Sequence, residues 1–188
     1  PLINETNTLN SKILFEATND DVLINISTEI YEDLSKEPSD RHEYIFPNFT
    51  IINDLKSDLN GDVSLTSQGY SKVYNTNSND QVLVNDLKYN NMNNINPSGI
   101  VDGFELLFKN FNANSNNSTS YKNKREHDIQ TILNYQIKYP LKKTSYGYKT
   151  ILSPILSMRY SPNKTKNIMN DDRLIDSNNI FSLNRIGS

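Results

Sequence analysis

An alternation of period two, unbroken from Ile129 to Leu141, constrains this chain more than any other feature. The odd positions read Ile129, Thr131, Leu133, Tyr135, Ile137, Tyr139 and Leu141, opposite Gln130, Ile132, Asn134, Gln136 and Lys138. A second stretch sets Val22, Ile24, Ile26, Thr28 and Ile30 against Leu23, Asn25, Ser27 and Glu29. Successive side chains of a strand point to opposite sides, so this period demands extended chain with one apolar and one mostly polar face. Helix is disfavoured throughout, because 2 Ala stand against 30 Asn and dense Ser, Thr, Ile and Tyr.

Clusters of Asn, Gly, Pro and Asp punctuate the chain and predict about eight strands. They fall near 11–18, 21–32, 44–57, 62–74, 81–91, 100–112, 127–139 and 148–160. Short turns are expected at Asn19-Asp20, at Asn60-Gly61 as a type I′ hairpin turn, at Asn96 to Gly99, and at Pro140 to Gly147. Longer polar loops are expected at Asp33 to Glu43, Asn75 to Asp80, Ala113 to Glu126 and beyond Ser161. Tyr31, Tyr44, Tyr74, Tyr139, Tyr146 and Tyr148 gather near strand ends. Two-faced strands of bilayer-crossing length, alternating turn lengths and aromatic ends together make the pattern of an outer-membrane barrel.

The expected fold is therefore all-β: an up-and-down antiparallel sheet forming an arc of a larger transmembrane β-barrel, with residues 1–188 part of a single barrel domain. Val22, Ile24, Ile26, Ile30, Ile129, Leu133, Tyr135 and Ile137 should face lipid. Asn25, Ser27, Asn134, Gln136 and Lys138 should face the lumen. The alternative is a soluble all-β binding or adhesion module, since Tyr also favours strands in water.

Composition closes off several function classes. A net charge of −3 with scattered Lys and Arg gives no electrostatic footprint for nucleic acid. Without cysteine there is no disulfide framework, thiolate metal site or cysteine nucleophile. No apolar stretch approaches the roughly 20 residues a transmembrane helix needs. The chain starts at Pro1 without Met and stops at Ser188, which predicts an internal piece truncated at both ends.

No catalytic, cofactor or metal site is expected, and the chain is read as not an enzyme. His42 and His127, the only imidazoles, fall in expected polar loops, and no G-x-S-x-G elbow occurs. Lys56 to Gly61 resembles the start of a calcium loop, but Lys56 and Ser67 occupy positions that require strong oxygen ligands. The run from Ala113 to Glu126 reads as a solvated loop.

The last third of the chain carries a family resemblance. Gln136 to Leu141 (QIKYPL), Tyr148 to Asn163 (YKTILSPILSMRYSPN) and Asn170 to Ile186 (NDDRLIDSNNIFSLNRI) follow one another in an order that resembles the barrel domain of the lipopolysaccharide-assembly family LptD. The matching elements are Leu152-Ser153-Pro154, Pro162-Asn163, Asp176, Asn179-Ile180-Phe181 and Asn184-Arg185-Ile186. Upstream, Tyr44 to Ile52 (YIFPNFTII) falls where the family has a proline-containing strand. Ser153 stands where the family has glutamate, and Ile186 where it has phenylalanine.

The resemblance implies a barrel in the outer membrane of a Gram-negative bacterium that inserts lipopolysaccharide into the outer leaflet. It implies three partners: lipopolysaccharide, an LptE-like lipoprotein plug, and an LptA-like periplasmic bridge that docks on a domain outside this sequence. It places Asp176, Asn179, Phe181, Asn184 and Arg185 in a long extracellular loop with a structural role. The charged run of Asp171, Asp172, Arg173, Asp176 and Arg185 is itself expected to fold partly back over the barrel mouth, with Phe181 as its buried anchor and Arg185 paired with one of the aspartates.

Overall fold

The computed structural model describes residues 7–74 and 77–163, the side chains of residues 92 and 93 excepted. Ten strands run in chain order: β1 (Thr8–Thr18), β2 (Val22–Asp33), β3 (His42–Leu55), β4 (Asp62–Tyr74), β5 (Asn79–Ile95), β6 (Val101–Asn116), β7 (Arg125–Lys138), β8 (Leu141–Ser145), β9 (Tyr148–Leu152) and β10 (Ile155–Tyr160). Eight of them form one sheet in the order β1-β2-β3-β4-β5-β6-β7-β10, every pairing antiparallel. This is an up-and-down all-β architecture, and no helix occurs among the described residues. Strands pack extensively only on their ladder neighbours, so the sheet is one layer and not a sandwich. Within the described residues β1 and β10 are its open edges.

The two faces can be traced through the register. Ile26 pairs with Phe49, Phe49 with Gly69, Gly69 with Leu83, Leu87 with Phe108, and Leu106 with Leu133. One face thus carries Val22, Ile24, Ile26, Ile30, Phe49, Ile51, Leu65, Leu83, Leu87, Phe104, Leu106, Phe108, Ile129, Leu133, Tyr135 and Ile137. The other carries Asn25, Ser27, Glu29, Gln68, Lys72, Asp86, Lys88, Glu105, Lys109, Gln130, Asn134, Gln136 and Lys138, together with a buried apolar cluster that includes Val82, Val84, Phe111 and Ala113. Both sets expected to share a face do so.

Proline decides where the ladder breaks. Phe46-Pro47 forms a bulge in β3, two residues opposing the single residues Thr28 on β2 and Ser71 on β4. Pro47 has no N–H for a ladder, so a central strand accommodates it at a bulge. The bulge shifts phase, which is why the apolar positions of β3 change parity after Tyr44. A second break alters the expected eighth strand. Instead of one strand over 148–160, Pro140 and Pro154 interrupt a long hairpin, and β8 and β9 pair with each other beyond the interruption. The register runs on unchanged across it, since Lys138 pairs with Ile155 before it and Leu141 with Leu152 after it. The expected short turn at Pro140 to Gly147 is therefore a projecting β8–β9 hairpin, closed at Tyr146 and Gly147, whose φ values are 40° and 83°.

Three further expectations are corrected. Asn60-Gly61 is not a two-residue turn: β3 ends at Leu55 and β4 starts at Asp62, leaving a six-residue loop from Lys56 to Gly61. The expected loop at Asn75 to Asp80 is shorter, because Tyr74 N–H donates to Ser78 O and β5 begins at Asn79. His42 and His127 lie in strands β3 and β7, not loops.

Candidate functional site

The polar face of β4 to β7 is the most enclosed part of the molecule. Lys109 and Val84 are each only 1% exposed, and Asp80, Asp128, Gln130 and Asn134 are also buried. On the opposite face of the same strands Leu83, Leu87, Leu106, Phe108 and Leu133 are all exposed. With one layer, such a difference requires the sheet to curl toward its polar side, where side chains of neighbouring strands converge. The polar face is the concave one.

Cross-strand ion pairs line that concavity. Lys12 Nζ lies 3.0 Å from Glu29 Oε1, Lys72 Nζ 2.6 Å from Glu43 Oε1, Lys88 Nζ 3.1 Å from Glu105 Oε1, and Lys109 Nζ 3.1 Å from Asp86 Oδ2. Hydrogen bonds tie the pairs into their surroundings. Ser27 and Tyr31 donate to Glu29, Asn134 Nδ2 donates to Glu105, and Ser157 Oγ donates to Asn134 Oδ1. Gln130 Nε2 donates to Asp128 Oδ2 at 2.5 Å. Charges withdrawn from bulk water are tolerable when paired and hydrogen-bonded in this way.

The convex face is arranged in the opposite sense. Its charged strand residues sit only toward strand ends: Glu32, His42, Arg125 and His127 at one end, Asp102 at the other. Ser67, Asn85 and Asn110, opposite one another across β4 to β6, interrupt the apolar band; Ser67 Oγ donates to Asn85 Oδ1 at 2.7 Å, and Asn112 Nδ2 donates to Asn110 Oδ1. At Gly69 the missing side chain lets the Phe49 ring lie across the strand, where a Cβ would stand 3.0 Å from the ring.

The β6–β7 connection closes one end of the concavity. β6 continues to Asn116, and Tyr121 in the following loop is 4% exposed, so the expected solvated loop over Ala113 to Glu126 is corrected. Tyr121 packs on Val82, Val84, Phe111 and Ala113, its ring 6.3 Å from that of Phe111, and its hydroxyl meets Tyr70 Oη at 3.3 Å. Ser118 Oγ accepts the backbone N–H of Ser120 and Tyr121, which bends the loop inward.

Asp176, Asn179, Phe181, Asn184 and Arg185, with the anchor and pairing expected of them, lie outside the described residues. The two histidines do not converge. His42 stacks on Tyr44 beside Glu32, while His127 Nδ1 meets Asn112 Oδ1 at 2.7 Å on a strand four places away. Among the described residues no group of three His, Asp or Glu is placed to hold a metal ion. Lys56, in the loop after β3, lies 2.7 Å from Asp21 Oδ2, and that hydrogen bond raises its pKa. The buried ion pairs and Tyr121 were not singled out by sequence: the former need the register, and the latter is one aromatic in a polar run.

Family models and curated proteins were both compared with the chain, and none matches.

Proposed function

We propose that this chain is an arc of an outer-membrane β-barrel that works in lipopolysaccharide transport, a barrel of the LptD type. The observation that carries the barrel reading is the inversion of its faces: apolar side chains stand exposed on the convex side, while charged groups such as Glu29, Asp128 and the Lys109–Asp86 pair are withdrawn from solvent on the concave side. A water-soluble sheet gains stability by burying the first and solvating the second. A barrel wall needs the reverse, because hydrocarbon solvates Ile and Leu but not Lys or Asp, while a lumen admits polar groups. The open edges of β1 and β10 are what an arc presents to further strands of the same wall.

The transport reading rests on the motif order from Gln136 to Ile186. In it the polar concavity supplies a surface for a lipoprotein plug seated from within, and lipopolysaccharide reaches the outer leaflet through the wall. No residue of the chain performs covalent chemistry in this role. The reading is tested at two levels. Amide hydrogen exchange of the protein refolded with phospholipid vesicles should be slowed along β2 to β7 relative to lipid-free protein, and equal exchange would defeat the barrel. Depletion of the full-length protein in its parent cell should stop new lipopolysaccharide from reaching the surface. Unimpaired delivery would defeat the transport role while leaving the barrel standing.

A further inference from the structure

The β8–β9 hairpin projects beyond the sheet by five residue pairs, and every residue of both its strands is exposed. An isolated two-stranded hairpin is marginal in water, so an arm of this kind invites a surface to lie on. Between Tyr139 and Pro154 the sequence holds Lys142, Lys143 and Lys149 and no acidic residue, a local charge of +3 in a chain whose net charge is −3. The same segment holds Tyr139, Tyr146 and Tyr148 beside Leu141, Ile151 and Leu152. Tyr146 is 99% exposed and Tyr148 79%.

The order of these residues along the arm is informative. Because the register continues across Pro140 and Pro154, the apolar face of β7 and β10 passes from Ile137 and Leu156 to Tyr139, then to Leu141 and Leu152, then to Lys143 and Thr150, and last to Ser145 and Tyr148, while Lys142 and Lys149 stand on the other face of the hairpin. Apolar residues reach as far as Leu141 and Leu152, and the lysines with Tyr146 and Tyr148 follow toward the tip, as on leaving hydrocarbon for lipid headgroups. We propose that the β8–β9 hairpin is an interfacial anchor that lies against an anionic phospholipid surface, its leucines at the acyl boundary and its three lysines, with Tyr146 and Tyr148, among the headgroups. Charge complementarity selects this occupant, and the proposal rests on the reading that the convex face meets hydrocarbon.

The chain has no Trp, so single Trp substitutions report unambiguously. Tyr146→Trp would report on the hairpin and Leu133→Trp on the convex face, each in the full chain refolded with vesicles. In vesicles of phosphatidylglycerol and phosphatidylcholine, both reporters should shift to the blue and be quenched, Leu133→Trp by lipids brominated on their acyl chains and Tyr146→Trp by lipids spin-labelled on their headgroups. In phosphatidylcholine alone only the Leu133→Trp reporter should stay quenched. Each lysine near an anionic surface contributes roughly fivefold in binding, so replacing Lys142, Lys143 and Lys149 together by Gln should lower the docked-to-free ratio on the order of a hundredfold. Raising salt from about 0.1 to about 1 M shrinks the Debye length from roughly 10 to 3 Å and should release the unaltered hairpin without any change at the lysines. A quenched Leu133→Trp reporter with an unquenched Tyr146→Trp reporter would overturn the anchor and leave the barrel intact. An unquenched Leu133→Trp reporter would remove the barrel reading and the anchor with it. Docking that survives both high salt and the triple Gln variant would also overturn the proposal, as would burial at position 146 that depends on protein concentration without lipid, which would make a second copy the occupant.

Discussion

Lys109 and Asp86 face each other directly across the β5–β6 ladder, Nζ 3.1 Å from Oδ2, with 1% of the lysine side chain exposed. Asp86 Oδ1 is buried and finds no hydrogen-bond partner among the described residues, so the pair rests on the Nζ to Oδ2 contact. A buried charge that loses its only counter-charge is costly, typically about 3–5 kcal/mol, whereas replacing both members by apolar groups is often close to neutral. Asp86→Asn should therefore destabilise the refolded protein by about 3 kcal/mol or more in urea unfolding, and Asp86→Leu with Lys109→Met by far less. A single-variant cost no larger than that of the pair would mean that Lys109 reaches water and that burial does not govern it.

The facing of β7 makes a second expectation. Leu133 lies on the convex face and Gln136 on the concave face of the same strand. Arg at a lipid-facing site near the bilayer midplane costs about 2–4 kcal/mol, and less at the interfaces. Leu133→Arg should lower stability in vesicles by that amount, while Gln136→Arg should change it by about 1 kcal/mol or less. Equal effects at the two positions would sink the assignment of the convex face to lipid.

That facing was legible because a strand's period of two needs no tertiary information, so both the apolar and the polar sets could be written from sequence. The number of sheet strands and their neighbour-to-neighbour order were legible for the same reason. Ladder breaks were less so. The phase change between Tyr44 and Phe49 was not read from the sequence, since only the pairing with Thr28 and Ser71 makes Phe46-Pro47 a bulge. Pro140 and Pro154 were visible, yet that they fall opposite one stretch of the same hairpin depends on the register of β7 with β10. The ion pairs Lys12–Glu29, Lys72–Glu43, Lys88–Glu105 and Lys109–Asp86 join residues whose separation along the chain carries no period at all. The residues of the family-like segment, from Asp176 to Arg185, lie outside the described part.

Gly69 and Phe49 supply a third expectation. A Cβ at position 69 would stand 2.6 Å from Val82 O, a backbone atom that cannot swing away, and 3.0 Å from the Phe49 ring. Gly69→Ala should cost about 1–3 kcal/mol through the shift it forces on the ladder. Phe49→Ala in the same background should recover the part due to the ring and leave the part due to the carbonyl. Full recovery, read as a coupling energy in a double-variant cycle, would place all the strain in the ring contact.

Tyr121 supplies the last. It is the aromatic through which the β6–β7 loop holds to the concave face, packed on Phe111 and touching Tyr70 by its hydroxyl. Removing a buried aromatic ring costs about 3–5 kcal/mol, whereas a neutral hydrogen bond contributes only about 0.5–1.5. Tyr121→Phe should consequently be mild and Tyr121→Ala severe. The loop carries Lys122 and Lys124, so its release can be read by trypsin, with Lys36 in the β2–β3 loop as an internal reference. In Tyr121→Ala, cleavage after Lys122 and Lys124 should accelerate far more than cleavage after Lys36, because only the first loop depends on that ring. Equal acceleration at both loops would indicate a general loosening of the sheet, and Tyr121 could no longer be called the anchor of its loop.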